Sequence, residues 1–188
     1  MYTEAEQLAL LLNKKYLAEP QNELYERESG NKKKQVISLD FKGCDFFKLY
    51  RFDREKSPYF LDFLNFENST PARLLAFCDY VLICVRDGEI FEIFIELTRG
   101  NSKTDSYAKE QCQAAIHLFD YIEKCGRRVY GNEFCQAVNR RSLLLRRDDK
   151  RYSRNTIKHH FRPQYDNDDF DALLVKDRDR CPCKNLCI

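Results

Sequence analysis

The sequence predicts an α/β fold, and three observations carry that reading. Two apolar runs, "LLAFCDYVLICV" at 74–85 and "IFEIFIEL" at 90–97, flank the dipeptide Asp87-Gly88. Asp-Gly between apolar runs is a strong short-range signal of a two-residue β-hairpin. A polar loop, "TRGNSKTD", leads into a helical pattern from about Ser106 to Lys124, with Ala108, Cys112, Ala115, Phe119 and Ile122 on one face. Finally, alternation puts apolar residues on both faces of the hairpin, so the sheet is expected to be covered on both sides.

The other elements follow in chain order. Thr3 to about Tyr16 reads as a helix capped by Thr3, with Glu6 at the capping-box position and Leu8, Leu11 and Leu12 as its apolar stripe. "SGNKKK" reads as a loop. "QVISLDF" and "CDFFKLYRF" read as strands with a turn near Lys42-Gly43. Residues 53–72, bracketed by Pro58 and Pro71, take no assignment. Gly126 is expected to end the long helix. "FCQAVNRRSLLL" contains a further strand, and the last forty residues give no readable pattern.

At 188 residues, 43% apolar and 13% aromatic, the chain is expected to form one globular domain. The domain is drawn over 1–175 and a Cys-containing C-terminal tail over 176–188. No apolar run approaches the roughly 18 residues of a membrane span. The N-terminus has an acidic start and none of the marks of a signal peptide, so a cytoplasmic location is expected. Nine cysteines, an odd number, argue against a disulfide framework. Cys44, Cys78, Cys84, Cys112, Cys125 and Cys135 sit in or beside apolar runs and read as small core residues. The tail "CPCKNLCI" brings Cys181, Cys183 and Cys187 together. A zinc site there needs a fourth ligand, with His159 and His160 as the candidates, and the spacing is CxC rather than CxxC, so zinc is not expected.

The hairpin has a chemical consequence. With Asp87 and Gly88 as its loop, paired positions sum to 175, and Asp79 falls opposite Glu96. One face then holds Cys78, Tyr80, Leu82 and Cys84 with Phe91, Ile93, Ile95 and Leu97. The other holds Asp79, Val81 and Ile83 with Glu92, Phe94 and Glu96. Directly opposed like charges destabilise a sheet. Two carboxylates so placed call for a cation or a shared proton, and a divalent ion with hard oxygen ligands would serve. A different loop length would slip the register and leave one acid in solvent.

The run "CDYVLI", then "FIEL", then "AKEQCQAAIHLF" resembles the PD-(D/E)XK, or restriction-endonuclease-like, nuclease superfamily. The likeness covers about residues 74 to 122. It implies a mixed central β-sheet flanked by helices, with an early helix that can supply another acid; Glu4 and Glu6 are the candidates. It implies metal-dependent hydrolysis of phosphodiesters, with Mg²⁺ or Mn²⁺ held by Asp79 and Glu96 and with Gln111 as the helix glutamine. Thr98 stands where the family motif has lysine. Arg99, Lys103 or Lys109 could supply the cation instead, or the site is inactive.

Residues 140 to 162 hold Arg140, Arg141, Arg146, Arg147, Lys150, Arg151, Arg154, Lys158 and Arg162 against Asp148 and Asp149, with Tyr152 and Phe161 among them. Such a patch suits phosphate backbones, and its aromatics can stack on bases. Arg140, Arg141, Arg146, Arg147, Arg151 and Arg154 are therefore the expected nucleic-acid contacts. A protein partner with an acidic surface, or a second copy of the chain, fits too. The sequence thus points to a metal-dependent nuclease, in a nucleic-acid processing or defence setting by analogy with the superfamily, with an inactive binding module as the alternative.

Overall fold

The computed structural model describes residues 3–26, 35–52, 77–99, 105–147, 170–175, 180–183 and 186–187. Helix α1 spans Glu4–Leu11, and a 3₁₀ turn follows at Lys14–Tyr16. The Thr3 hydroxyl accepts from the Glu6 amide while the Glu6 carboxylate accepts from the Thr3 amide, which closes the expected capping box. Ala5 and Leu8 are buried on the inner face. The helix is shorter than expected, because Leu12 is already extended.

Strands β1 (Glu23–Glu26), β2 (Gln35–Asp40), β3 (Phe46–Arg51), β4 (Tyr80–Arg86) and β5 (Glu89–Arg99) come next. Then come helix α2 (Asp105–Tyr130), β6 (Val138–Arg147), β7 (Phe170–Val175) and β8 (Arg180–Pro182). Five strands form one sheet in the order β3-β4-β5-β6-β7. The first three are antiparallel neighbours, while β5, β6 and β7 run parallel. Helix α2 makes the crossover that a parallel β5–β6 pair needs. The second sheet is β1-β2-β8, antiparallel at β1–β2 and parallel at β2–β8. The molecule is therefore α/β with two mixed sheets.

The β4–β5 hairpin has the expected register, from Tyr80 against Ile95 to Arg86 against Glu89. Asp87 and Gly88 both have positive φ, 52° and 80°, as a type I′ loop requires. Both faces of the sheet are covered. On one side Tyr80, Leu82, Cys84, Ile93 and Ile95 pack with Leu24, Ile37 and Leu39 of the small sheet. On the other, Val81, Ile83 and Phe94 pack with Ala5 and Leu8 of α1 and Cys112, Ala115 and Phe119 of α2. Phe94 and Phe119 meet edge to face at 5.3 Å between ring centroids.

Four expectations change. Gly126 does not end α2, which runs on to Tyr130 and closes at Gly131, whose φ is +107°. Gly126 is instead a packing glycine: a Cβ there would stand 2.3 Å from the Phe134 ring and 2.9 Å from a Leu11 methyl. Cys78, read onto the Tyr80 face, packs on the α2 side with Val81, because strand alternation begins only after a bend at Asp79. The unassigned C-terminal stretch contains β7 and β8. The segment read as a tail enters the core: Cys181, Cys183, Leu186 and Cys187 are buried among side chains of both sheets. The loop at 29–34 and the segment 53–72 lie outside the described residues.

Candidate functional site

Asp79 sits one residue ahead of β4, and Glu96 lies inside β5. Continuing the β4–β5 register by one step sets them opposite each other. Their contacts are reciprocal. The Asp79 amide donates to Glu96 Oε2 at 3.1 Å, and the Leu97 amide donates to Asp79 Oδ2 at 2.8 Å. The Asp79 carbonyl accepts from the Phe52 amide at 3.0 Å, which ties the bend to the end of β3. Glu96 is fully buried and Asp79 half-buried.

The surroundings are thiol-rich and negative. Burial pushes the Cys78 thiol well up, and contact with Cys112 and the charges of Glu96 and Asp79 push it further. Gln111, on α2, donates Nε2 to the Phe77 carbonyl at 3.0 Å, two residues from Asp79. Its Oε1 is buried with no hydrogen-bond partner among the described residues. The helix glutamine thus lies against the chain leading into Asp79, turned inward rather than to solvent.

The remaining expected site residues divide. Thr98 and Arg99 are the last positions of β5, two and three residues beyond Glu96, and their strand register pairs them with Arg146 and Arg147 of β6. Lys109 is exposed on α2. Lys103, Arg151 and Arg154 lie outside the described residues, as do His159 and His160. Glu6 is engaged by Thr3, whose backbone and side-chain hydrogen bonds hold its carboxyl below the usual range. Glu4, exposed in the same turn, is close enough to Cys135 to influence it, as are Glu92 and Glu123. Glu92 lies four residues from Glu96, about 13 Å along the strand. Glu4 thus lies toward the Glu92 end of β5.

Arg140 requires a correction. It was expected to contact nucleic acid, but its guanidinium is gripped by three acids. Nε donates to Glu92 at 2.9 Å, Nη1 to Asp120 at 2.5 Å and Nη2 to Glu123 at 2.6 Å. The cause lies in the register, which sets Glu92 against Arg140. Asp120 and Glu123, three apart on α2, reach the same point. Three carboxylates around one guanidinium leave excess negative charge. Burial, then Glu123, raise the Glu92 carboxyl to about 8, with Arg140 opposing. Arg141 donates Nη1 to the Leu186 carbonyl at 3.2 Å and so serves the C-terminal segment.

The C-terminal thiols also differ from expectation. Cys183 and Cys187 meet Cys84 of β4, with Cys44 of the β2–β3 turn beside Cys183. Cys84 thus joins the C-terminal thiols; His159 and His160 lie outside the described residues. In sequence Cys84 reads only as a core residue of an apolar strand; nothing local announces a partner 99 residues away.

Among the described residues, no helix is long and apolar enough to cross a membrane. Comparison with protein-family models, with curated proteins and with solved structures gives no match.

Proposed function

We propose that the chain is a metal-dependent nuclease of restriction-endonuclease-like fold, hydrolysing phosphodiester bonds at Asp79 and Glu96. The observation that carries this is the reciprocal clamp: each acid is positioned by a backbone amide of the opposite strand. A buried glutamate in a strand is costly unless something charged or hydrogen-bonding meets it. The pair fits a hard divalent ion by the chemistry of its donors, since two carboxylates offer oxygen ligands of the kind Mg²⁺ and Mn²⁺ take.

Asp79 and Glu96 would hold the ion, their amide contacts fixing one oxygen of each and so their orientation. The chemistry that such an ion supplies is activation of a water and neutralisation of charge building on the phosphate. Gln111, held against Phe77, would position the chain entering Asp79 and present its buried carbonyl oxygen toward that end of the sheet. Arg99, Arg146 and Arg147 occupy strand positions at the same end, beyond Glu96, where a phosphate backbone would be met. Arg99, Lys103 or Lys109 would stand in for the absent motif lysine at Thr98.

A second reading, an inactive module that keeps the fold, draws on the same contacts. Backbone amides already stabilise both acids, and β5 carries threonine at position 98. Cleavage separates the two. The wild-type chain should cleave DNA or RNA in Mn²⁺ or Mg²⁺ and be silent in EDTA. Asp79→Asn and Glu96→Gln keep a hydrogen-bond acceptor for each amide while removing the charge. Each should fold normally and lose cleavage by at least about 100-fold, the scale on which metal-site groups matter. Wild type inert on single- and double-stranded DNA and RNA would establish the inactive module.

A further inference from the structure

Three buried cysteines meet on the side of the large sheet away from the helices, with a fourth, Cys44, packed beside them. The thiols of Cys84, Cys183 and Cys187 all lie within 4.8 Å of one another. Cys84 to Cys187 and Cys183 to Cys187 are each 3.6 Å, and Cys183 to Cys84 is 3.9 Å. Cys44 lies next to this group, beside Cys183 but outside the mutual 4.8 Å set.

These distances identify a ligand. Four sulfurs each about 2.3 Å from one tetrahedral zinc ion stand about 3.8 Å apart, the edge of the tetrahedron. The three measured edges straddle that value. A disulfide is excluded as the reason for the spacing, since its bond is about 2.05 Å. We infer that Cys84, Cys183 and Cys187 form a structural zinc site, with Cys44 drawn in from its neighbouring turn as the fourth ligand.

The backbone is arranged to present these sulfurs. The Leu186 and Cys187 amides both donate to the Cys183 carbonyl, at 2.8 and 3.2 Å, folding Cys183 and Cys187 into one helical turn. Arg141 holds the Leu186 carbonyl from β6. Cys84 comes from β4, a strand paired on both sides, and Cys44 from the turn closed by its own amide on the Phe41 carbonyl at 3.0 Å. Of the four, Cys44 is the half-buried one, and as a turn residue it can close over the ion.

The electrostatics agree. Arg86 and Arg141 stand near Cys187 and favour negative charge there. Zn²⁺ binds the four sulfurs as thiolates, releasing their protons, and leaves a tetrathiolate centre of charge −2 near two arginines. No position stays open, so this zinc is structural and not catalytic. It joins β4 of the large sheet, the β2–β3 turn and the C-terminal segment after β8, pinning the two sheets together. The site is independent of the Asp79–Glu96 pair, on the other face of the sheet.

The test is metal content. Full-length chain produced in zinc-supplemented medium, purified under reducing conditions and denatured into a colorimetric chelator, should release about one zinc per chain. Cobalt exchanged into the protein should show the visible bands of a tetrahedral ion and thiolate charge-transfer bands. Cys44→Ser and Cys187→Ser should each weaken zinc more than the roughly 10–100-fold that losing an outer-shell partner costs. Cys125→Ser, on the outer helix, should retain it in full. Because Cys187→Ser could unfold the tail, the cobalt spectrum of wild type decides independently. Wild type without zinc or cobalt-thiolate bands, a Cys183–Cys187 disulfide in its place, iron in its place, or zinc retained by both ligand variants would each overturn the proposal.

Discussion

Glu92 and Arg140 show what a single residue means once its neighbours are known. In sequence Glu92 is one acid on an apolar strand and Arg140 the first of a basic run. Folded, Glu92 is fully buried, and Arg140 holds it together with Asp120 and Glu123. No local pattern could give this, because the partners come from β5, α2 and β6. The cluster makes a pH prediction. The Glu92 carboxyl is raised from 4.5 to about 8, so between those values the folded chain holds a proton that the unfolded chain has released. That stabilisation is full at acid pH and is lost as pH rises through about 8. Glu92→Gln keeps the shape and cannot titrate. Melting temperature against pH should therefore fall more steeply for wild type than for Glu92→Gln between pH 5 and 8. Parallel curves would show that Glu92 is ionised throughout, neutralised by Arg140.

At the scale of elements, legibility followed locality. The β4–β5 hairpin was readable because Asp87-Gly88 specifies both turn type and register within a few residues, and the register set Asp79 opposite Glu96. The Thr3–Glu6 capping box and the inner stripe of α2 were readable for the same reason. The small sheet was not: β8 is three residues long and pairs with β2, some 140 positions earlier, so no short-range period marks it. Gly126 misled because glycine serves two purposes, turning a chain and letting neighbours approach. Here it does the second. Gly126→Ala would improve helix propensity by up to about 1 kcal/mol, yet the added carbon meets Phe134 at 2.3 Å and Leu11 at 2.9 Å. Overpacking of this kind costs about 1–3 kcal/mol, so the net effect should be destabilising. Denaturant unfolding measures it; a more stable Gly126→Ala would mean that Phe134 moves aside freely.

At the scale of the whole molecule, the five-stranded sheet separates two chemistries. Hard carboxylate oxygens lie at the open end of β4 and β5, against α2. Soft thiols lie on the opposite side, where the small sheet and the C-terminal segment pack. The first was visible in sequence because both acids belong to one hairpin. The second was half visible: Cys183 and Cys187 stand out in "CPCKNLCI", but Cys84 and Cys44 join them only through the packing of the two sheets. The division matters for any metal assay, since Mg²⁺ and Mn²⁺ prefer the oxygens and zinc the sulfurs. The central claim, that Asp79 and Glu96 together bind a hard divalent ion, is tested most directly by calorimetric titration of zinc-saturated chain with Mn²⁺. Wild type should bind one ion, and Asp79→Asn and Glu96→Gln should each weaken that binding at least tenfold, about 1.4 kcal/mol. Equal binding by all three proteins, or none by wild type with or without a non-cleavable oligonucleotide, would contradict the claim.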